Sequence, residues 1–127
     1  MSAQPAGADD VSDADLVKLA RRISQLRRKR DMLFEPVIFA DPEWDILLDL
    51  FAESGSGRRV SMSSLCIAAA VPTTTAVRCI NAMIDQGVLA KSRDQADARR
   101  VLIELTGETR MKMRNWLTQV ARGQTGL

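Results

Sequence analysis

Histidine is missing from all 127 residues, which removes the commonest general base and the commonest metal ligand. Only two cysteines are present, Cys66 and Cys79, too few to close a zinc site by themselves. No other set of acid, base, nucleophile or metal ligand converges in the sequence. The chain is therefore expected to be neither an enzyme nor a metalloprotein, and to need no cofactor. Long apolar runs are missing as well: none approaches the roughly 18–20 residues that cross a bilayer. Residues 1–10 lack both the basic start and the apolar stretch of a secretory signal. These absences predict a cytoplasmic protein without a membrane association, whose residues 1–11 form a disordered, polar, acidic tail.

What is present is globular composition, with 46% hydrophobic and 27% charged residues, in a length that suits one domain over residues 12–127. The net charge of +2 conceals strong segregation. Residues 16–33 carry seven basic side chains against one acid, residues 34–54 carry six acids and no base, and residues 55–100 carry seven bases against three acids. A polyanion responds to such local asymmetry within about 10 Å, the screening length, more than to the total.

Ser12-Asp13-Ala14-Asp15 has the spacing of a capping box, with acids suited to the positive end of a helix. It predicts a helix over 12–34, ended by Glu35-Pro36. The stripe Leu16, Leu19, Ile23, Leu26, interrupted at Arg30, resembles a coiled-coil seam. Asp41-Pro42 opens a second helix, with Trp44, Leu47, Leu48 and Phe51 at helical spacing and Gly55-Ser56-Gly57 as its stop. Helical patterns over 63–70 and 73–86, separated only by Val71-Pro72, make a helix-turn-helix unit. Gly87 is placed as a C-terminal cap. Strands then follow over 88–93 and 98–105, joined by the turn Asp94-Gln95-Ala96-Asp97, with Val101, Ile103 and Leu105 alternating against Leu102 and Glu104. A last helix over 107–122 carries Met113, Trp116, Leu117 and Val120. The order predicts a mainly α fold with a small β-hairpin wing (α+β), a winged helix-turn-helix.

Two stretches are similar to the MarR family of bacterial regulators. The first is Leu65-Cys66-Ile67-Ala68-Ala69-Ala70-Val71-Pro72-Thr73-Thr74-Thr75-Ala76-Val77-Arg78, similar to that family's helix-turn-helix. The second is Asp97-Ala98-Arg99 followed by Leu105-Thr106, similar to its wing signature, downstream of Gly87-Val88-Leu89. The resemblance covers about residues 60–106. It implies a dimeric, DNA-binding transcriptional regulator, commonly a repressor, with Arg99 directed to the minor groove. Only one helix fits in the 21 residues after Thr106, where the family usually places a longer pair that builds the dimer and part of an effector cleft. No effector is predicted.

Physical chemistry points to the same residues. A helix fits the major groove, about 12 Å wide, and its exposed N-terminal half reaches base edges and phosphates first. That half holds Thr73, Thr74 and Thr75, whose competing reading is capping. Arg78, one turn on, can address guanine bidentately; its competing reading is a salt bridge to Asp85 or Asp45. Ala76, Cys79, Ile80 and Met83 share the core side. Lys91, Arg93 and Arg100 are candidates for flanking phosphates, with Arg58 and Arg59 as further ones, and Asp97 for orienting Arg99 or its turn. The run Arg27-Arg28-Lys29-Arg30 reads either as a nucleic-acid contact or as a solvated helix end. Both cysteines read as inert core residues rather than redox sensors. Dimerisation is assigned to Leu16, Leu19, Ile23 and Leu26 together with Trp116, Leu117 and Val120, because the first stripe needs a partner. The expected function is sequence-specific binding of double-stranded DNA by a homodimer. The alternatives are a winged-helix adaptor for protein partners and a non-specific DNA-organising protein.

Overall fold

A computed structural model describes residues 11–36 and 39–123 of the chain. Helix α1 (Asp13–Leu33) packs along α2 (Pro42–Gly55); then come β1 (Val60–Ser61), α3 (Met62–Ala68), α4 (Thr73–Asp85), β2 (Leu89–Arg93), β3 (Val101–Leu105) and α5 (Gly107–Ala121). The winged helix-turn-helix expected from the residue pattern is the observed fold, and its helix ends fall within two residues of expectation. The predicted tail lies almost wholly outside the described residues. Val11, its last member, is half-buried against the core.

Local chemistry sets the boundaries. Ser12 Oγ accepts from Asp15 N at 3.1 Å, starting α1 as the capping spacing requires. Asp41 sits at the N-cap of α2 but makes no capping hydrogen bond; its carboxylate lies 3.7 Å from Arg27 instead. Gly87, at φ 78°, ends α4. Its N–H bonds Ile84 O at 3.0 Å and the Val88 N–H bonds Met83 O at 2.9 Å, the paired bonds of a Schellman cap. Thr106 caps α5, and its hydroxyl also donates to Gly87 O at 3.0 Å. This ties the start of α5 to the end of α4.

The sheet has three strands in the order β1-β3-β2, all antiparallel. Sequence pattern missed β1, since two residues are too few to show alternation. Its register, Val60 opposite Ile103 and Ser61 opposite Leu102, makes β3 the central strand. Leu102, assigned by alternation to the outer side, is buried between Ser61 and Ser92. The second strand starts at Val101 rather than Ala98, for a reason that lies in the loop chemistry described below.

One core joins all these elements, with Leu16, Ile46, Leu48, Leu50, Leu65, Ile80, Leu89 and Leu117 fully buried. Each such side chain contributes about 1.5–3 kcal/mol through removal from water. This packing corrects the dimer assignment for three residues. Leu16, Ile23 and Leu117 are consumed inside one chain, where α1 meets α2 and α5, and are no longer free to face a partner. Leu19 and Trp116 are half-buried against the same core, Trp116 edge-on to Trp44 at 4.9 Å. Leu26 remains exposed, with Met32, Leu33, Phe34 and Phe39 beyond it.

The α1–α2 contact is close and charged. A Cβ on Gly55 would meet Val17 Cγ2 at 2.5 Å, so a side chain there requires Val17 to turn away or the helices to shift. Arg27 Nε donates to Asp45 Oδ1 at 2.7 Å and Arg28 Nη2 to Asp45 Oδ2 at 3.0 Å, while Arg21 bonds Glu53 at 2.9 Å. Arg30 pairs with Asp31 and lies 4.2 Å from the Phe39 ring. Arg27 and Arg28 thus join α1 to α2, and of the basic run only Lys29 is without a partner among the described residues. Among the described residues, no single helix is long and apolar enough to cross a membrane.

Candidate nucleic-acid interface

The chain bends by 111° between α3 and α4, within the range of a helix-turn-helix. Ser61 Oγ caps α3 by accepting from Ser64 N at 3.2 Å. The turn holds Ala70 at φ 58°, a left-handed conformation that costs a residue with a Cβ about 1–2 kcal/mol. The turn is kept because Leu65, Cys66 and Ala69 on one side and Ala76, Ile80 and Met83 on the other are buried together. Cys79 is half-buried on the same side. Burial pushes the thiols of Cys66 and Cys79 up, Glu43 beside Cys79 adding to the effect there, so neither is a poised thiolate.

The opposite side of α4 is bare. Pro72 occupies the N-cap without a side-chain hydrogen bond, leaving backbone N–H groups of the first turn open, as at any uncapped N-terminus. Thr73, Thr74 and Thr75 are all exposed, and none of them serves as a cap. Arg78 is exposed too and forms no ion pair among the described residues. Asp45, one of the partners considered for it, is held by Arg27 and Arg28. The first two turns of α4 therefore present three hydroxyls, unsatisfied amides and a free guanidinium to solvent.

The wing is built by its own acids. Asp94 Oδ1 accepts from Ala96 N at 2.9 Å and Asp97 Oδ1 from Arg99 N at 3.1 Å. Such two-residue side-chain turns compete with ladder hydrogen bonds, which is why the predicted strand residues Ala98, Arg99 and Arg100 belong to the loop. The loop closes with Asp94 N donating to Arg100 O at 2.9 Å. Arg93 and Arg100 are engaged within it, Arg93 donating to Ala98 O at 2.9 Å and Arg100 to Asp94 at 3.1 Å. The Asp94 carboxyl is held below its usual range, first by the Ala96 N–H and then by Arg100 and Arg59. Arg99 projects outward with 93% of its side chain exposed, held at its base by Asp97 at 3.2 Å. Lys91 is exposed without a partner among the described residues, whereas Arg58 is paired with Glu53 at 3.0 Å.

The sequence profile described as transcriptional regulator SarA/Rot matches residues 42–116, from the start of α2 into α5. The chain belongs to the SarA/Rot family of transcriptional regulators. A sequence comparison with curated proteins gave no match. Solved structures with the same fold include the PcaV regulator of Streptomyces coelicolor bound to its natural ligand (24% identity over 85% of this chain and 78% of that one, TM-score 0.50). A mutant of MepR from S. aureus is similar at 20% identity over 84% and 76% of the two chains, TM-score 0.55. A mutant of MarR from E. coli is similar at 18% identity over 84% and 76%, TM-score 0.53. The MarR resemblance of residues 60–106 thus extends to the three-dimensional fold. This SarA/Rot member is a DNA-binding transcriptional regulator of the winged helix-turn-helix type, in a family of regulators rather than enzymes.

Residue pattern alone did not reveal what supports this face. Asp45 is the buried carboxylate on which α1 and α2 converge, and its signal was a charge on the apolar side of a helix, one turn from Leu48 and two from Ala52. Thr106 stands in the residue pattern as the end of the Leu105-Thr106 signature, just before the last helix. Its second bond, to Gly87 O, joins partners far apart in the chain and left no local trace.

Proposed function

We propose that the regulator binds double-stranded DNA as a homodimer, with α4 in the major groove and the β2–β3 wing over the adjacent minor groove. The observation that carries this reading is the bare N-terminal half of α4, where Thr73, Thr74, Thr75 and Arg78 are exposed and uncommitted while the other side of the same helix is core. In this reading Arg78 addresses a base edge, the threonines address phosphates or bases, and Lys91 addresses a flanking phosphate. Arg99 enters the minor groove, where a narrow A·T-rich segment concentrates negative potential. Arg93 and Arg100 act first by shaping the wing.

Pairing uses the apolar surface that one chain leaves over: Leu26, Met32, Leu33, Phe34 and Phe39 around the C-terminal end of α1, with Leu19, Trp116 and Val120 in supporting positions. Two protomers would place their α4 helices in successive major grooves about 34 Å apart, on a near-palindromic operator in the cytoplasm, and repress by excluding polymerase. Selection from random duplexes tests this reading: enrichment of a two-fold symmetric motif is expected, and recovery of no motif, or of one asymmetric half-site, overturns it.

A further inference from the structure

A cavity of about 230 Å³ lies on the α3 side of the scaffold, walled by Ser24 and Arg28 of α1, Asp45 and Asp49 of α2, and Ile67, Ala68 and Ala70 of α3 and its turn. It is fragment-sized against the roughly 300–1,000 Å³ of drug-sized ligand sites, and its α3 wall is purely apolar. Ile67 stands at its edge, 83% exposed, one of the most exposed large apolar side chains among the described residues.

The charges around the cavity are committed with one exception. Arg28 bonds Asp45 at 3.0 Å and lies 3.4 Å from Asp31, and the other Asp45 oxygen is taken by Arg27 at 2.7 Å. Arg21, which acts on Asp49 at longer range, is bonded to Glu53 and Ser56 at 2.9 and 3.3 Å. Asp49 accepts no hydrogen bond among the described residues. Its carboxyl is pushed up to about 6, first by burial and then by the neighbouring Glu53 charge, with Arg21 working in the opposite direction. Helix α3 contributes no titratable group to the cavity. A half-buried carboxylate with no donor from the described residues is left to water on its open side, and a cation can offset its partial desolvation.

We propose that this cavity binds a small organic cation, a primary alkylammonium, with its ammonium on Asp49 and its alkyl chain against Ile67, Ala68 and Ala70. A primary ammonium supplies the three donors that the carboxylate lacks, and the chain covers apolar wall otherwise left to water. An organic anion would meet an Arg28 already neutralised by two carboxylates. Among the described residues there is no group of three or more metal-ligating side chains, so a bare metal ion would find too few ligands. The cation would bridge α2 to the first helix of the DNA-reading unit.

The test is titration of the full chain with n-pentylammonium chloride, followed by amide NMR shifts, with n-pentanol as the neutral counterpart. Saturable shifts are expected at residues around Ser24, Asp49 and Ile67, with pentanol at least tenfold weaker. Affinity should fall about tenfold from pH 7.5 to pH 5, since a carboxyl titrating near 6 is about one-tenth ionised there. Asp49→Asn should abolish the shifts while keeping a dispersed, folded spectrum. Absence of saturation, equal binding of pentanol, or undiminished binding by a folded Asp49→Asn variant would each overturn the proposal.

Discussion

Asp97 and Arg99 are joined twice: one carboxylate oxygen of Asp97 accepts both the Arg99 backbone N–H at 3.1 Å and its side-chain Nε at 3.2 Å. The first bond shapes the wing tip and the second aims the guanidinium, leaving its outer nitrogens free. Asp97 thus serves a basic surface although its own charge is unfavourable near phosphate.

This pairing separates two variants. Arg99→Ala should weaken DNA binding about tenfold and lower the salt slope by about one unit if the guanidinium displaces a counterion. Asp97→Ala should weaken binding only about threefold and leave the slope unchanged, because the cation remains and only its placement is lost. Equilibrium anisotropy at several salt concentrations reads both quantities.

Asp45 is 5% exposed and holds two arginines. Asp45→Ala should destabilise the fold by about 3 kcal/mol, since it leaves a largely buried Arg27 with only the longer contact to the exposed Asp41 at 3.7 Å. Arg28→Ala, at the more exposed partner, should cost about 1 kcal/mol. Urea denaturation of the two variants measures the difference.

Asp49 gives stability a pH dependence of opposite sign to that of a paired acid. The folded chain keeps this proton up to about pH 6, whereas the unfolded chain releases it near 3.8. Between those values the folded state binds more protons, so stability from this group falls as pH rises. Partial solvent access moderates the effect to about 1–3 kcal/mol. Asp49→Asn should therefore stabilise the protein by that amount at pH 7.5 and by nothing below about pH 4, as thermal melts at the two pH values will show.

Gly87→Ala should cost about 1–2 kcal/mol although the space around it is empty, with nothing within 4 Å of the added Cβ. The loss is conformational, from φ 78°. A melt of this variant checks it, and an unchanged midpoint would show that the cap relaxes without strain.

The sequence carried the architecture because the elements that define it announce themselves locally. Pro72 separates two short helices, Gly87 closes the second, and Leu105-Thr106 ends a strand and opens a helix. The bare face of α4 was legible for the same reason, since Ala76, Ile80 and Met83 at helical spacing put Arg78 on the other side. What stayed hidden depends on tertiary partners. The two-residue β1 is a strand only because β3 lies beside it. Leu16, Ile23 and Leu117 looked unspent until α1, α2 and α5 were seen to bury them in one core. The basic run left a nucleic-acid contact and a solvated helix end both open, because Asp45, the counter-charge of Arg27 and Arg28, lies 18 and 17 residues away. The wing loop escaped because its aspartates bond backbone two residues on, replacing ladder bonds that strand propensity alone would predict.

The central claim is that the free face of α4 reads DNA sequence through Arg78, and the direct measurement is anisotropy of wild type and Arg78→Ala on the selected duplex and a scrambled one. The account predicts preference of the wild type for the selected duplex. It also predicts a loss of about 1–3 kcal/mol in Arg78→Ala on that duplex and little change on the scrambled one. Equal wild-type affinity for both duplexes, or an Arg78→Ala protein that discriminates as well as wild type, would contradict it.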